Sequence, residues 1–152
     1  MRVGDTAPDF TARDQHGREV SLSGLLAAGP IVLFFYPKAF TPGCTAESCY
    51  FRDLGADFSA VGAQRIGISA DTVERQAEFD EVHDLGFPLL SDPDRVIAKL
   101  FGVKPPGPLF NRRKTFVIDA DRTVLLATAS ELSMEKHADE ALDVLRRVGD
   151  VA

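Results

Sequence analysis

Residues Ile31–Tyr36 read Ile-Val-Leu-Phe-Phe-Tyr, six apolar side chains in succession, with Pro30 before them and Pro37 after. A strand with one face in water alternates apolar and polar residues; this one does not, so both of its faces must be covered. The run is far too short to cross a bilayer, which takes about 20 apolar residues. The rest of the chain therefore has to supply helices for both sides of a sheet.

Periodicity and breaker residues supply them in order. Short strand-like pieces at Phe10–Ala12 and Glu19–Leu22, joined by Gln15-His16-Gly17, signal an N-terminal hairpin. After the loop Lys38–Gly43 a helical pattern runs from about Thr45 to Ala60, and Gln64–Ser69 reads as a second buried strand. Asp71 or Thr72 caps a helix to about His83, Phe87–Leu90 is extended, and Val96–Phe101 gives a short helix. Thr115–Ile118 is a third strand, turned at Asp119–Arg122 into Thr123–Thr128. The last helix, about Met134–Val148, sets Ala138, Ala141, Leu142, Leu145 and Val148 on one stripe. This order predicts an α/β protein with a mixed central sheet, helices on both faces and an N-terminal β-hairpin extension; it resembles the thioredoxin fold. No repeat, low-complexity tract or linker divides the 152 residues, which read as a single domain over 1–152.

The net charge of −6 disfavours nucleic acid or an anionic membrane as the main partner. The first residues, Met-Arg-Val-Gly-Asp, lack an apolar stretch of the secretory kind, so a cytoplasmic location is expected. Two cysteines, Cys44 and Cys49, are too few for a disulfide scaffold or a self-sufficient zinc site. His16, His83 and His137 have no metal-ligand spacing and are read as surface or structural; neither metal nor organic cofactor is expected.

Cys44 arrives where a buried strand has ended and a helix begins, so unpaired backbone N–H groups and the positive end of the helix dipole favour its thiolate. Thr41, three residues earlier, can offer its hydroxyl toward the sulfur or a bound oxygen, and Pro37 fixes the loop and can exclude water. Most free cysteines are small buried hydrophobes; a Pro-Gly-Cys junction is a poor place to hide one. Cys49, mid-helix beside Tyr50 and Phe51, fits the bland reading better.

The segment Pro37-x-x-x-Thr41-x-x-Cys44 resembles the active-site signature of the peroxiredoxins. The longer run from Phe35 to Asp53 is similar to their peroxiredoxin Q, or bacterioferritin-comigratory, branch. Val3-Gly-Asp-x-Ala-Pro-Asp-Phe10, Gly67-Ile-Ser-x-Asp71, Phe87–Asp92, Phe101-Gly-Val103 and Arg113–Asp119 match family landmarks in order, so the likeness spans nearly the whole chain. The resemblance implies a thiol-specific peroxidase acting on hydrogen peroxide and organic hydroperoxides. In it Cys44 is the peroxidatic thiolate, and Pro37, Thr41 and Arg113 complete the site. Arg113 would hold peroxide oxygens as charge develops. Glu47, one turn after Cys44, would orient that arginine or else lie solvated; Arg52 would be a supporting cation or merely exposed. Cys49 is the implied resolving thiol, thioredoxin or a similar dithiol the reductant, and a monomer is favoured with a dimer as the alternative. Gln76 stands where this branch often has histidine, and Arg122 where it often has glycine.

Residues five apart on a helix have Cα atoms roughly 8–9 Å apart, beyond the ~4.4–6.8 Å a disulfide accepts. A Cys44–Cys49 bond therefore predicts unwinding around Thr41–Tyr50 on oxidation. A thioredoxin-like disulfide oxidoreductase would want Cys-x-x-Cys spacing, while a redox sensor would pass its oxidation to a partner protein. Peroxide preference is open: Phe40, Phe110 and loop residues 105–109 offer an apolar wall for alkyl hydroperoxides, or ordinary loop packing.

Overall fold

The computed structural model describes residues 1–107 and 109–151. Its elements in chain order are β1 (Thr11–Arg13), β2 (Glu19–Ser21), α1 (Leu22–Leu26), β3 (Ile31–Phe35), α2 (Pro42–Asp53), α3 (Gly55–Ala60) and β4 (Gln64–Ser69). There follow α4 (Val73–His83), β5 (Leu89–Ser91), α5 (Val96–Leu100), β6 (Lys114–Ile118), β7 (Val124–Ala129) and α6 (Met134–Val151). The seven strands form one mixed sheet in the order β2-β1-β5-β4-β3-β6-β7. Strands β3, β4 and β5 run parallel; β6 is antiparallel to β3, β7 to β6, and the β1–β2 hairpin is antiparallel to β5 at Arg13↔Ser91.

The apolar run lies at the middle of the sheet, as its lack of alternation requires, and all of Ile31–Tyr36 is buried. Ile31, Leu33 and Phe35 face a core closed by α1 and α5 with Phe10, Phe101 and Phe116. Val32, Phe34 and Tyr36 face the opposite core, closed by α2, α3, α4 and α6 with Phe51, Phe58, Phe79 and Leu142. Helices thus cover both faces, and the thioredoxin-like arrangement with its N-terminal hairpin is present.

One expected element divides. The single helix over Thr45–Ala60 begins earlier, at Pro42, and breaks at Leu54 into α2 and α3. Arg65 on β4 donates from Nη1 to the carbonyl oxygens of Phe51 and Arg52 at 2.9 and 3.3 Å, satisfying the end of α2. Gly55 makes room for it, since a Cβ there would stand 3.3 Å from the guanidinium nitrogens.

Candidate active site

Cys44 is the third residue of α2, after the N-cap Thr41 and Pro42 at the first position, where proline costs the helix no hydrogen bond. The helix buries Cys44, Glu47, Ser48 and Phe51 on one side, the i, i+3, i+4, i+7 spacing of an inward face. Cys49 lies about 140° round the helix from Cys44. It is half-buried in a groove with Ala46, Tyr50 and Asp53, facing Leu132, Ser133, Met134 and Glu135. Both cysteines are free.

The loop before α2 is held from below. Tyr36 donates its hydroxyl proton to Gln76 Oε1, and Gln76 Nε2 donates to Ser69 Oγ and the Leu90 carbonyl. Ser69 Oγ donates to Asp71 Oδ2, which also accepts from the Ala39 amide at 2.8 Å. Gln76 is fully buried and its amide is spent on these bonds, a structural role without a titrating group. Above the network Phe40 takes a left-handed φ of 67°, a strained position for a bulky residue. Its ring is held by the Arg75 guanidinium 4.1 Å from its centroid and by Phe79 edge-on. Phe40 therefore packs on α4, while Leu109 and Phe110 are exposed and Pro108 lies outside the described residues. Pro37 is half-buried where the apolar run ends. The Thr41 hydroxyl donates to the Lys38 carbonyl at 2.8 Å, so its proton is committed to the loop rather than to the sulfur.

Arg113, immediately before β6, is brought over the N-terminus of α2 by the antiparallel β3–β6 pairing. Nη2 donates to Cys44 Sγ at 3.2 Å and Nη1 to Glu47 Oε1 at 2.9 Å; Cys44 and Glu47 are fully buried and Arg113 is 6% exposed. Gly43 permits the approach, for a Cβ there would meet Nη2 at 3.1 Å. Burial works against the Arg113 charge, but Glu47 and Cys44 outweigh it and hold the guanidinium protonated. Burial also pushes the Glu47 carboxyl up to about 7 against the pull of Arg113. The solvated alternative for Glu47 is thereby excluded. Arg52 stands apart from this cluster, donating to the His83 carbonyl and paired with Asp53.

Three further residues complete the cluster. Glu131 Oε1 accepts from the Arg113 amide at 2.9 Å. His137, fully buried on α6, places Nδ1 2.8 Å from Thr115 Oγ1 and 3.7 Å from Glu47 Oε2. In the sequence, His137 stands beside Ala138 and four residues before Ala141, on the apolar stripe of α6, and that spacing is the one signal of its inward position. Glu131 and Thr115 carry none. Chemically, a buried sulfur at a helix N-terminus with a fixed guanidinium donor beside it can hold a thiolate and steady negative charge on an attacked oxygen.

The chain matches the AhpC/TSA family over residues 3–127. The crystal structure of peroxidoxin BcpB from Mycobacterium tuberculosis is 52% identical, superposes with a TM-score of 0.94 and is matched over 97% of this chain and 98% of that one. The chloroplastic peroxiredoxin Q of Sedum lineare is 42% identical over 146 residues, 94% of this chain and 77% of the relative. The bacterioferritin comigratory protein of Xanthomonas campestris, studied structurally for its alkyl peroxide reduction activity, is 28% identical with a TM-score of 0.84, over 91% of each chain.

Proposed function

This chain belongs to the AhpC/TSA family, within its peroxiredoxin Q branch, and on that footing we propose that it is a thiol peroxidase whose peroxidatic residue is Cys44. The observation that carries the assignment of Cys44 is its sulfur, buried at the N-terminus of α2 with Arg113 Nη2 donating to it at 3.2 Å. The Cys44 thiolate attacks the peroxide O–O bond, and with one proton taken up the products are a cysteine sulfenic acid and water or an alcohol. Arg113 steadies the leaving oxygen, Glu47 orients Arg113, and Thr41 and Pro37 shape the approach through the loop. The sulfenic acid condenses with the Cys49 thiol, releasing water and leaving a Cys44–Cys49 disulfide. A thioredoxin-type dithiol reduces that disulfide and is itself oxidised.

The enzyme works as a single domain, a monomer, on hydrogen peroxide and organic hydroperoxides. Among the described residues no helix is long and apolar enough to cross a membrane. A cysteine pair that must be reduced at every turnover suits a cytoplasm kept reducing by dithiols. The test is steady peroxide consumption supported by thioredoxin and its reductase. Cys44→Ser abolishes it, whereas Cys49→Ser leaves one oxidation per chain and stalls recycling; retained turnover in Cys44→Ser would overturn the reading.

A further inference from the structure

The buried cluster contains a contact that peroxide reduction, as set out above, does not use. His137 Nε2 lies 2.9 Å from the Ser130 carbonyl, which only accepts, so Nε2 carries the hydrogen. In the neutral ring Nδ1 is then an acceptor, to which the Thr115 hydroxyl donates. Facing it at 3.7 Å is Glu47 Oε2, buried and without a hydrogen-bond partner among the described residues. Two acceptors opposed in a buried site repel, and one proton between them, with the Thr115 hydroxyl turned aside, resolves the conflict.

The charges lead to the same place. When Cys44 is a thiolate, the Arg113 charge is shared between that sulfur and an ionised Glu47, with the exposed Glu131 carboxylate 3.9 Å away and Glu140 on the flank of α6. One proton on the Glu47–His137 pair makes the buried group neutral.

We propose that Glu47 and His137 form a positioning pair that shares a single proton in the reduced site, giving Arg113 whole to Cys44 while the proton is present and dividing it between Cys44 and Glu47 once the proton leaves. The inference deepens the peroxidase reading and rests on it for its kinetic consequence. The direction of both burial effects agrees with it: Glu47 is pushed toward its protonated form and His137 toward neutral. Loss of the proton weakens Arg113 as a donor to the leaving oxygen, so the peroxide rate constant falls on the alkaline side while the thiolate persists.

Infrared spectra of the reduced protein, recorded against pH with no peroxide present, test the pairing itself. A protonated-carboxyl C=O band is expected below neutrality and should be missing in Glu47→Gln. His137→Asn keeps an acceptor for Thr115 but cannot take a proton, so the band should disappear at a pH lower by about one unit or more. Thr115→Val removes the donor that occupies Nδ1 and frees it for the shared proton, so the band should persist to higher pH. The alkaline fall in the peroxide rate constant should move with the band in each variant. Absence of the band, or an unmoved midpoint in His137→Asn, overturns the proposal. Should His137→Asn not fold, the nearly isosteric Thr115→Val decides by the sign of its shift. Because the band is read without substrate, a failure of the peroxidase reading would leave it intact and is told apart.

Discussion

Arg113 serves two buried partners through separate nitrogens, Nη1 to Glu47 and Nη2 to Cys44, and its planar fork fixes both directions at once. Lysine at this position would bring the charge, but all three of its N–H donors sit on one freely rotating nitrogen and cannot reproduce the two fixed approaches. Arg113→Lys should therefore lower the second-order rate constant for peroxide on the order of 100-fold, measured in single turnover; a value near wild type would remove Arg113 from the role given to it. Glu47 gives a second residue-scale expectation, in stability. Burial raises its carboxyl from 4.5 to about 7, so the folded protein binds this proton more tightly than the unfolded chain. Its contribution is fully present below about 4.5 and is lost as pH rises through about 7, on the order of 3 kcal/mol in all. His137 has the opposite sign: burial lowers its pKa from 6.5, so its contribution is present above that value and lost as pH falls. Urea unfolding at about pH 5 and about pH 8 should show the wild type losing the Glu47 share with rising pH. Glu47→Gln should lack that loss and show only the histidine limb.

At the scale of elements, α2 is fastened unequally. Its C-terminal half is anchored by Phe51, stacked on Phe34 with ring centroids 4.2 Å apart and planes 6° apart, and by Arg65 on the last carbonyls. Its N-terminal half is tied through Arg113 to Cys44 and Glu47, and the turn between the halves carries an exposed Tyr50–Asp139 hydrogen bond. A disulfide between Cys44 and Cys49 cannot close on an intact helix, so oxidation should unwind the weaker half and stop at Phe51. Hydrogen exchange on oxidised protein should show lost protection over 43–50 with Phe51–Phe58 still protected; an intact α2 in the oxidised form would end the proposal that Cys49 resolves Cys44. The sequence signals fail most where this element divides. Periodicity carries the pattern smoothly from Thr45 to Ala60, because the break at Leu54 is set by a guanidinium arriving from β4, which no local window contains. Strands fared better: β3, β4, β6 and β7 lie within a residue or so of their expected positions, since apolar runs between breakers depend on neighbours in the chain alone.

The whole molecule separates two cores across its sheet, and the candidate site belongs to one of them. Cys44, Thr41 and Pro37 are placed by contiguous residues at a strand-to-helix junction, but the Thr41 hydroxyl turns to the Lys38 carbonyl instead of the sulfur, a choice no local pattern records. Arg113 was legible only through resemblance, Glu47 through its place one turn after Cys44 and only as a choice between orienting Arg113 and lying solvated, and Glu131, Thr115 and the role of His137 not at all. Those three meet only because β6 pairs antiparallel with β3 and α6 packs beside α2, long-range facts that no spacing encodes. The same architecture separates stability from chemistry. Phe101 is fully buried on the far face, with Phe10, Phe35 and Phe116 rings at 5.4–5.8 Å, in the core opposite the one that holds Cys44. Phe101→Ala should cost about 3–5 kcal/mol in urea unfolding, as an aromatic cavity does. Its peroxide rate constant, measured where the variant is still folded, should stay within about twofold, since independent sites couple by only a few tenths of a kcal/mol. Phe51→Ala should cost a similar amount but also slow peroxide reduction, because it loosens the helix that carries Cys44. Equal rate losses in the two variants would show that the sheet transmits strain between its faces, and the site would then have to be treated as a property of both cores.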